Sequence, residues 1–256
     1  MGFLREGDNV KDRIYTIPVN EAFDKHSECP LCTLAKKLED EAVEYAIGAA
    51  MMEPDYRVLS NEKGYCNKHF GLMYKKPNKL SLALVLETHL DELKSELKTI
   101  KDAAGIAMTE KTSIFCRKKN DGVFGALSLM KSTLSSCVVC EKIHSTMERY
   151  VRVLFWMWEN DDEFKMKMKM SKGFCLEHFV VLLENAKIHL GSKKYKEFCV
   201  MLCEKEENEL NRVAQDVHNF TLKFDYRNHS SEWGNEKDGP LRGVEKIAGY
   251  IIKDSK

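Results

Sequence analysis

Residues 64–70 read GYCNKHF, and residues 173–179 read GFCLEHF. Each is preceded by a CxxC pair, Cys29-Pro30-Leu31-Cys32 in the first case and Cys137-Val138-Val139-Cys140 in the second. The CxxC pairs lie 108 positions apart and the CxxH pairs 109 apart, so one inserted residue, placed in the Lys-Met alternation before Gly173, relates them. Lys63, Gly64, Cys66, His69 and Phe70 recur as Lys172, Gly173, Cys175, His178 and Phe179. Upstream, Asp55-Tyr56-Arg57-Val58 recurs as Glu163-Phe164-Lys165-Met166. Agreement of order, spacing and flanks marks an internal repeat.

The repeats run from 15 to 103 and from 124 to 222. Residues 104–123, with Gly105 and Asn120-Asp121-Gly122, read as a connector, and 223–256 as an unduplicated tail with a short helix. Lys, Glu and Leu dominate and only 5 prolines occur in 256 residues, which favours helices over sheets. Leu86, Leu90, Leu93, Leu97 and Ile100 step by four and three, as one face of a helix near 80–103 capped by Asn78 or Ser81. Tyr150, Val151, Leu154, Phe155 and Trp158 form a second such face. Phe198, Leu202, Leu210, Val213, Val217 and Phe220 form a third, interrupted at Glu206. All three read as core packing. Lys165–Met170 alternates with period two and reads as a short strand or extended segment with Met inward. The expected fold is an all-α helical bundle of two pseudo-symmetric repeats, each with its own metal site, followed by the tail.

Four thiolate or imidazole ligands converging tetrahedrally suit zinc. Taken repeat by repeat, the sets are Cys29, Cys32, Cys66, His69 and Cys137, Cys140, Cys175, His178. The ligand pairs are separated by 33 and 34 residues, too many for a zinc finger. Such a gap holds a helix of about 18 residues, rising roughly 27 Å. The remaining dozen must then return nearly extended, at about 3.3 Å each. Each ion would join the starts of two helices, whose positive ends favour thiolates. Two zinc ions per chain are expected. An iron–sulfur cluster is the alternative, weakened by the histidine in each set. A thioredoxin-like redox pair lacks its βαβ context, and simple buried thiols leave the paired CxxH unexplained. A full Cys3His set has no open position, which argues against a metal-centred enzyme.

Cys199 and Cys203 stand four apart on one predicted helix. They could join His89 or His189 in a further site, with core packing the simpler reading. Cys116 reads as a lone thiol in the connector. In the tail, Asp225, Arg227, His229 and Trp233 could bind a small polar ligand, though a segment capping the bundle is the plainer reading. Lys plus Arg equals Asp plus Glu at 40 each, so broad attraction to nucleic acid is not expected. No membrane-spanning run appears, and the charged start, MGFLREGDNVKDR, is no secretory signal. A cytoplasmic chain with reduced thiols is expected.

The CPLC, GYCNKHF, CVVCE and GFCLEHF motifs in that order, followed by KFDYRN, resemble domain-of-unknown-function family 6062. That resemblance implies a bacterial or archaeal cytoplasmic protein and carries no established activity. The expected function is a zinc-binding helical scaffold with a binding or regulatory role toward an unknown protein or small-molecule partner. The rivals are a redox-active or metal-handling protein using the same ligands, and an enzyme with a polar pocket at the tail.

Overall fold

A computed structural model describes residues 13–109, 122–225 and 232–250. Among them there are helices and no strands. Five precede the connector: α1 (Thr16–Asp24), α2 (Pro30–Ala46), α3 (Pro54–Lys63), α4 (Asn67–Lys75) and α5 (Lys79–Thr109). Five follow it: α6 (Gly122–Ser135), α7 (Val138–Asn160), α8 (Asp162–Met170), α9 (Leu176–His189) and α10 (Ser192–Leu222). The tail adds α11 (Gly239–Ala248). Helix α5 runs past the expected boundary at 103 to Thr109, α6 takes in residues 122 and 123, and residues 110–121 of the connector, with Cys116, lie outside the described residues. Asn78 caps α5, its Oδ1 accepting from Ser81 N at 3.2 Å.

The chain divides into two compact units that do not coincide with the repeats. One holds the residues up to Lys37 together with those from Ser145 onward; the other is Leu38–His144. The divisions fall inside α2 and α7, so the CxxC of the first repeat belongs with the later part of the second. The CVVC of the second belongs with the CxxH of the first.

The core of the larger unit is aromatic. Phe23 packs edge-on to Phe164 at 5.0 Å between ring centroids, and Phe198 contacts Phe155 at 5.0 Å and Trp158 at 5.1 Å. The α7 stripe from Tyr150 to Trp158 is buried, as are Phe198, Leu202 and Val213 on α10. Glu206, which interrupts the α10 stripe, is itself buried. In Leu38–His144 the core gathers Val43, Ile47, Tyr65, Met73, Val85 and Val139. There the expected α5 face is corrected in part: Leu86 packs against the core as expected, but Leu90 and Leu97 are exposed, and the buried residues are Leu82, Val85 and His89. Polar residues could join that face because they find partners, His89 Nδ1 bonding Asn61 O at 2.9 Å and Thr133 Oγ1 donating to Glu96 at 2.8 Å.

The Lys-Met alternation is also corrected. It is helical, and α8 starts where Asp161 Oδ1 accepts from Phe164 N at 3.0 Å, with Asp162 and Glu163 in the first turn and Lys167 and Lys169 in the last. A strand needs a neighbour for its backbone, and here the helix satisfies that backbone within itself. Helical spacing buries Phe164 and Met168, four apart, and turns Met166 and Met170 outward, 60% and 77% exposed. Ser171 follows α8, and its hydroxyl donates to Met168 O at 2.7 Å. Met168→Ala is expected to cost about 2–4 kcal/mol, with Met166→Ala and Met170→Ala near neutral in chemical denaturation. Equal losses at all three would restore the period-two reading.

Candidate metal centres

The eight expected ligands form two groups of four, and each group draws on both repeats. Cys29 and Cys32 meet Cys175 and His178 in the larger unit, here site A; Cys66 and His69 meet Cys137 and Cys140 in the other, site B. The one-site-per-repeat pairing is thereby corrected. Its physical reason is the return segment. That pairing needed nearly extended chain between the ligand pairs, and α3 and α8 occupy that segment as helices rising only about 1.5 Å per residue. In the second repeat α7 has 23 residues and so rises roughly 35 Å. The nine residues of α8 recover about 14 Å of that.

Each site sits where two helices begin, α2 with α9 and α7 with α4. Cys66 and Cys175 occupy the N-cap positions of α4 and α9. Cys29 Sγ accepts from Cys32 N at 3.4 Å and Cys137 Sγ from Cys140 N at 3.5 Å, so sulfur takes up an otherwise orphan N–H at each helix start. Gly64 and Gly173 have φ of 62° and 75°. A Cβ there would lie 2.7 Å from His89 Nε2 and 2.5 Å from Glu206 Oε2. The glycine of the repeated motif is thus set by both conformation and space.

In site A, His178 Nδ1 lies 3.4, 3.4 and 3.2 Å from the sulfurs of Cys29, Cys32 and Cys175, and Cys32 Sγ lies 3.6 Å from Cys175 Sγ. In site B, His69 Nδ1 lies 3.2, 3.2 and 3.4 Å from Cys66, Cys137 and Cys140, and Cys66 Sγ lies 3.8 Å from Cys140 Sγ. A tetrahedral ion with bonds of about 2.3 Å to sulfur and 2.0 Å to nitrogen gives edges of about 3.8 and 3.5 Å. The cages therefore fit one metal ion each, and all six cysteines are free thiols.

Without metal the cages already separate charge. Burial opposes protonation of His69, but hydrogen bonds to Cys137 and Glu39 outweigh it and raise the imidazole to about 9. Burial likewise opposes His178, which Cys175 and Cys32 raise to about 10. Burial disfavours the Cys137 thiolate, yet hydrogen bonds from His69 and from the backbone of Cys140 and Cys66 hold it at about 6. Hydrogen bonds from Cys29 and Cys32 push Cys175 far below the usual thiol range. Burial raises Cys29, and burial with the neighbouring Cys137 raises Cys140 to about 12. A proton stands in each cage where a cation would bring more charge.

The surroundings of the two sites differ. At site B, His69 Nε2 bonds the buried Glu39 at 3.1 Å, and Lys68 pairs with the same carboxylate at 2.5 Å. A carboxylate behind a ligating histidine fixes its ring and tautomer. Met147 stands at the equivalent position of the second repeat, and among the described residues no carboxylate backs His178. Site A instead has the tail. Lys246 on α11, 1% exposed, donates to Lys172 O, to Phe174 O at 3.1 Å and to Glu206 at 3.1 Å. Glu206, 3% exposed, also accepts from Phe174 N at 2.9 Å. Gly249, just past α11, has φ of 80°, and a Cβ there would lie 3.4 Å from Cys32 Sγ and 3.8 Å from Cys175 Sγ. Beside it a cleft of about 210 Å³ is lined by Cys29 and Cys32 themselves together with Glu28, Lys36, Glu245 and Tyr250. Glu28 is held by Arg212 at 2.5 Å and by Lys172 at 3.5 Å.

Of the other expected site residues, Arg227 and His229 lie outside the described residues. Trp233 joins an aromatic cluster, 5.4 Å from Phe220 and 6.4 Å from Phe224. Asp225 N donates to Leu222 O. Cys199 is half-buried and Cys203 exposed, so the core reading is corrected; no third cluster forms among the described residues. His189 stacks on Phe155 at 5.5 Å. Sequence reasoning missed Glu39, Lys246 and the role of Gly249. Its one available signal was Glu206, a charge in an apolar stripe.

Residues 10–254 match the model of the family described as Family of unknown function (DUF6062). The chain belongs to this family. No curated protein and no solved structure matches it. Among the described residues no single helix is long and apolar enough to cross a membrane.

Two outcomes are expected. Lys246→Met leaves Glu206 buried without its cation and should cost about 3–5 kcal/mol in denaturant unfolding; adding Glu206→Gln should recover part of it. Metal binding must displace the protons on His69 and Cys140, so affinity should rise with pH, about tenfold per unit for each proton displaced. Competition titrations between pH 6 and 8 check the sign.

Proposed function

We propose that the protein is a zinc-bound helical scaffold with a binding or regulatory role, its two Cys3His sites acting as structural cross-links. One observation carries this reading: each cage joins chain segments from different repeats, Cys29 to His178 across 149 positions and Cys66 to Cys140 across 74. An ion there closes a long loop and draws two helix starts together, and structural zinc supplies on the order of 10 kcal/mol to such folds. Zinc is favoured over an iron–sulfur cluster because the sulfurs are spaced for one ion. A cubane spreads its thiolates around several irons. With all four positions filled by protein, no ligand site remains open for metal-centred chemistry. This supports a scaffold over an enzyme, with the cleft beside site A as the place for a small polar partner.

Elemental analysis and an absorbance spectrum of protein purified without oxygen test this. About two zinc ions per chain and no visible colour are expected; iron with a brown spectrum would overturn the assignment. Cys175→Ser should lower the melting temperature by more than about 10 °C. An unchanged melting temperature with one metal verified as lost would contradict the structural role.

A further inference from the structure

We infer that the two structural sites differ in exchange: site B can also pass its ion to an outside acceptor, and site A, covered in part by the tail, gives up its ion far more slowly. This rests on both cages binding zinc. Transfer of zinc from thiolates proceeds by an incoming ligand reaching the ion as a resident ligand leaves, so access to the sulfurs sets the rate. All three sulfur ligands of site A are buried, and Gly249 lies against two of them. That cap is fixed from beneath, because Lys246 three residues earlier is bound to the Lys172–Phe174 backbone that leads into Cys175. The cleft beside Gly249 reaches only Cys29 and Cys32, 4% and 6% exposed, so an acceptor meets site A along that confined path, with Cys175 covered while Lys246 keeps its three partners.

Site B is built the other way. Cys140 is exposed and Cys66 half-buried, and only Cys137 among its thiols is buried. The histidine side is closed, with His69 buried and held by Glu39. An acceptor therefore approaches over Cys140 while Cys137 and His69 still hold the ion. Glu39 strengthens the histidine bond, so site B combines firm binding at equilibrium with rapid exchange. The acceptor this suits is a small chelator or a solvent-exposed thiolate or imidazole site on another protein. A bulky buried-site apoprotein could not reach the ion.

The test is metal transfer from the zinc-loaded full chain, confirmed beforehand to carry two ions, to an excess of the chromophoric chelator pyridylazoresorcinol. Two phases of one ion each are expected, differing at least tenfold in rate. N-ethylmaleimide added during the fast phase, followed by peptide mass spectrometry, should label Cys140 and Cys66 ahead of Cys29, Cys32 and Cys175. In Lys246→Met the slow phase should accelerate at least tenfold and the fast phase should not change. A single phase for both ions, or earlier labelling at Cys29, Cys32 or Cys175, would overturn the inference while leaving the zinc assignment intact. Fewer than two ions at the outset would instead refute the zinc assignment itself.

Discussion

Everything in this fold depends on where a thiolate pair finds its second half. Two sulfurs at the start of one helix cannot complete a tetrahedron. They need a thiolate and an imidazole three residues apart at the start of another, where one helical face presents both. The helix start is the right place for such a ligand. Its N–H groups lack intrahelical partners, and its dipole favours the negative sulfur. The sulfurs of Cys29 and Cys137 each take up such an N–H. The metal cage thus continues the capping of the helices that build it.

The exchange of ligand pairs between repeats follows from stiffness. Had the segments before Gly64 and Gly173 been extended, each repeat could have closed on itself. They are helices, capped at Asp161 in one case and begun by Pro54 in the other. Within one chain the outcome resembles a domain-swapped pair, in which identical elements are traded between protomers. Swapping also changes what a cross-link achieves. A site closed within one repeat would stabilise only that repeat, whereas a swapped site makes each compact unit depend on both halves of the duplicated sequence.

Much of this was legible in the sequence. The eight ligands, the duplication and the helical class follow from CxxC and GxCxxHF spacing and from the stripes of α7 and α10. What could not be read was pairing. Within-repeat and cross-repeat sets use identical residues, and the choice turned on the Lys165–Met170 segment, whose period-two pattern favours a strand. Six residues are too few for periodicity to outweigh a cap and a buried i,i+4 pair at Phe164 and Met168. The α5 stripe misled for a related reason: leucines define an inner face only if polar residues beside them lack partners. His89 and Glu96 have theirs.

Duplication supplied two equal ligand sets, and the residues around them made them unequal. Where Glu39 stands behind His69, the second repeat has Met147; where Val138 N donates to Gly64 O at 3.2 Å, the first repeat has Pro30, which has no N–H to give. Site A lacks that backbone tie, and its motif is held from another side, with Lys246 of the tail supplying three donors to the motif backbone and to Glu206. A buried lysine is an expensive substitute for one amide hydrogen bond unless every donor is met, and here each is. The unduplicated tail is therefore part of the metal-site architecture. It holds the Lys172–Phe174 backbone that leads into Cys175 and lays Gly249 against two sulfurs of site A, whereas site B leaves Cys140 exposed.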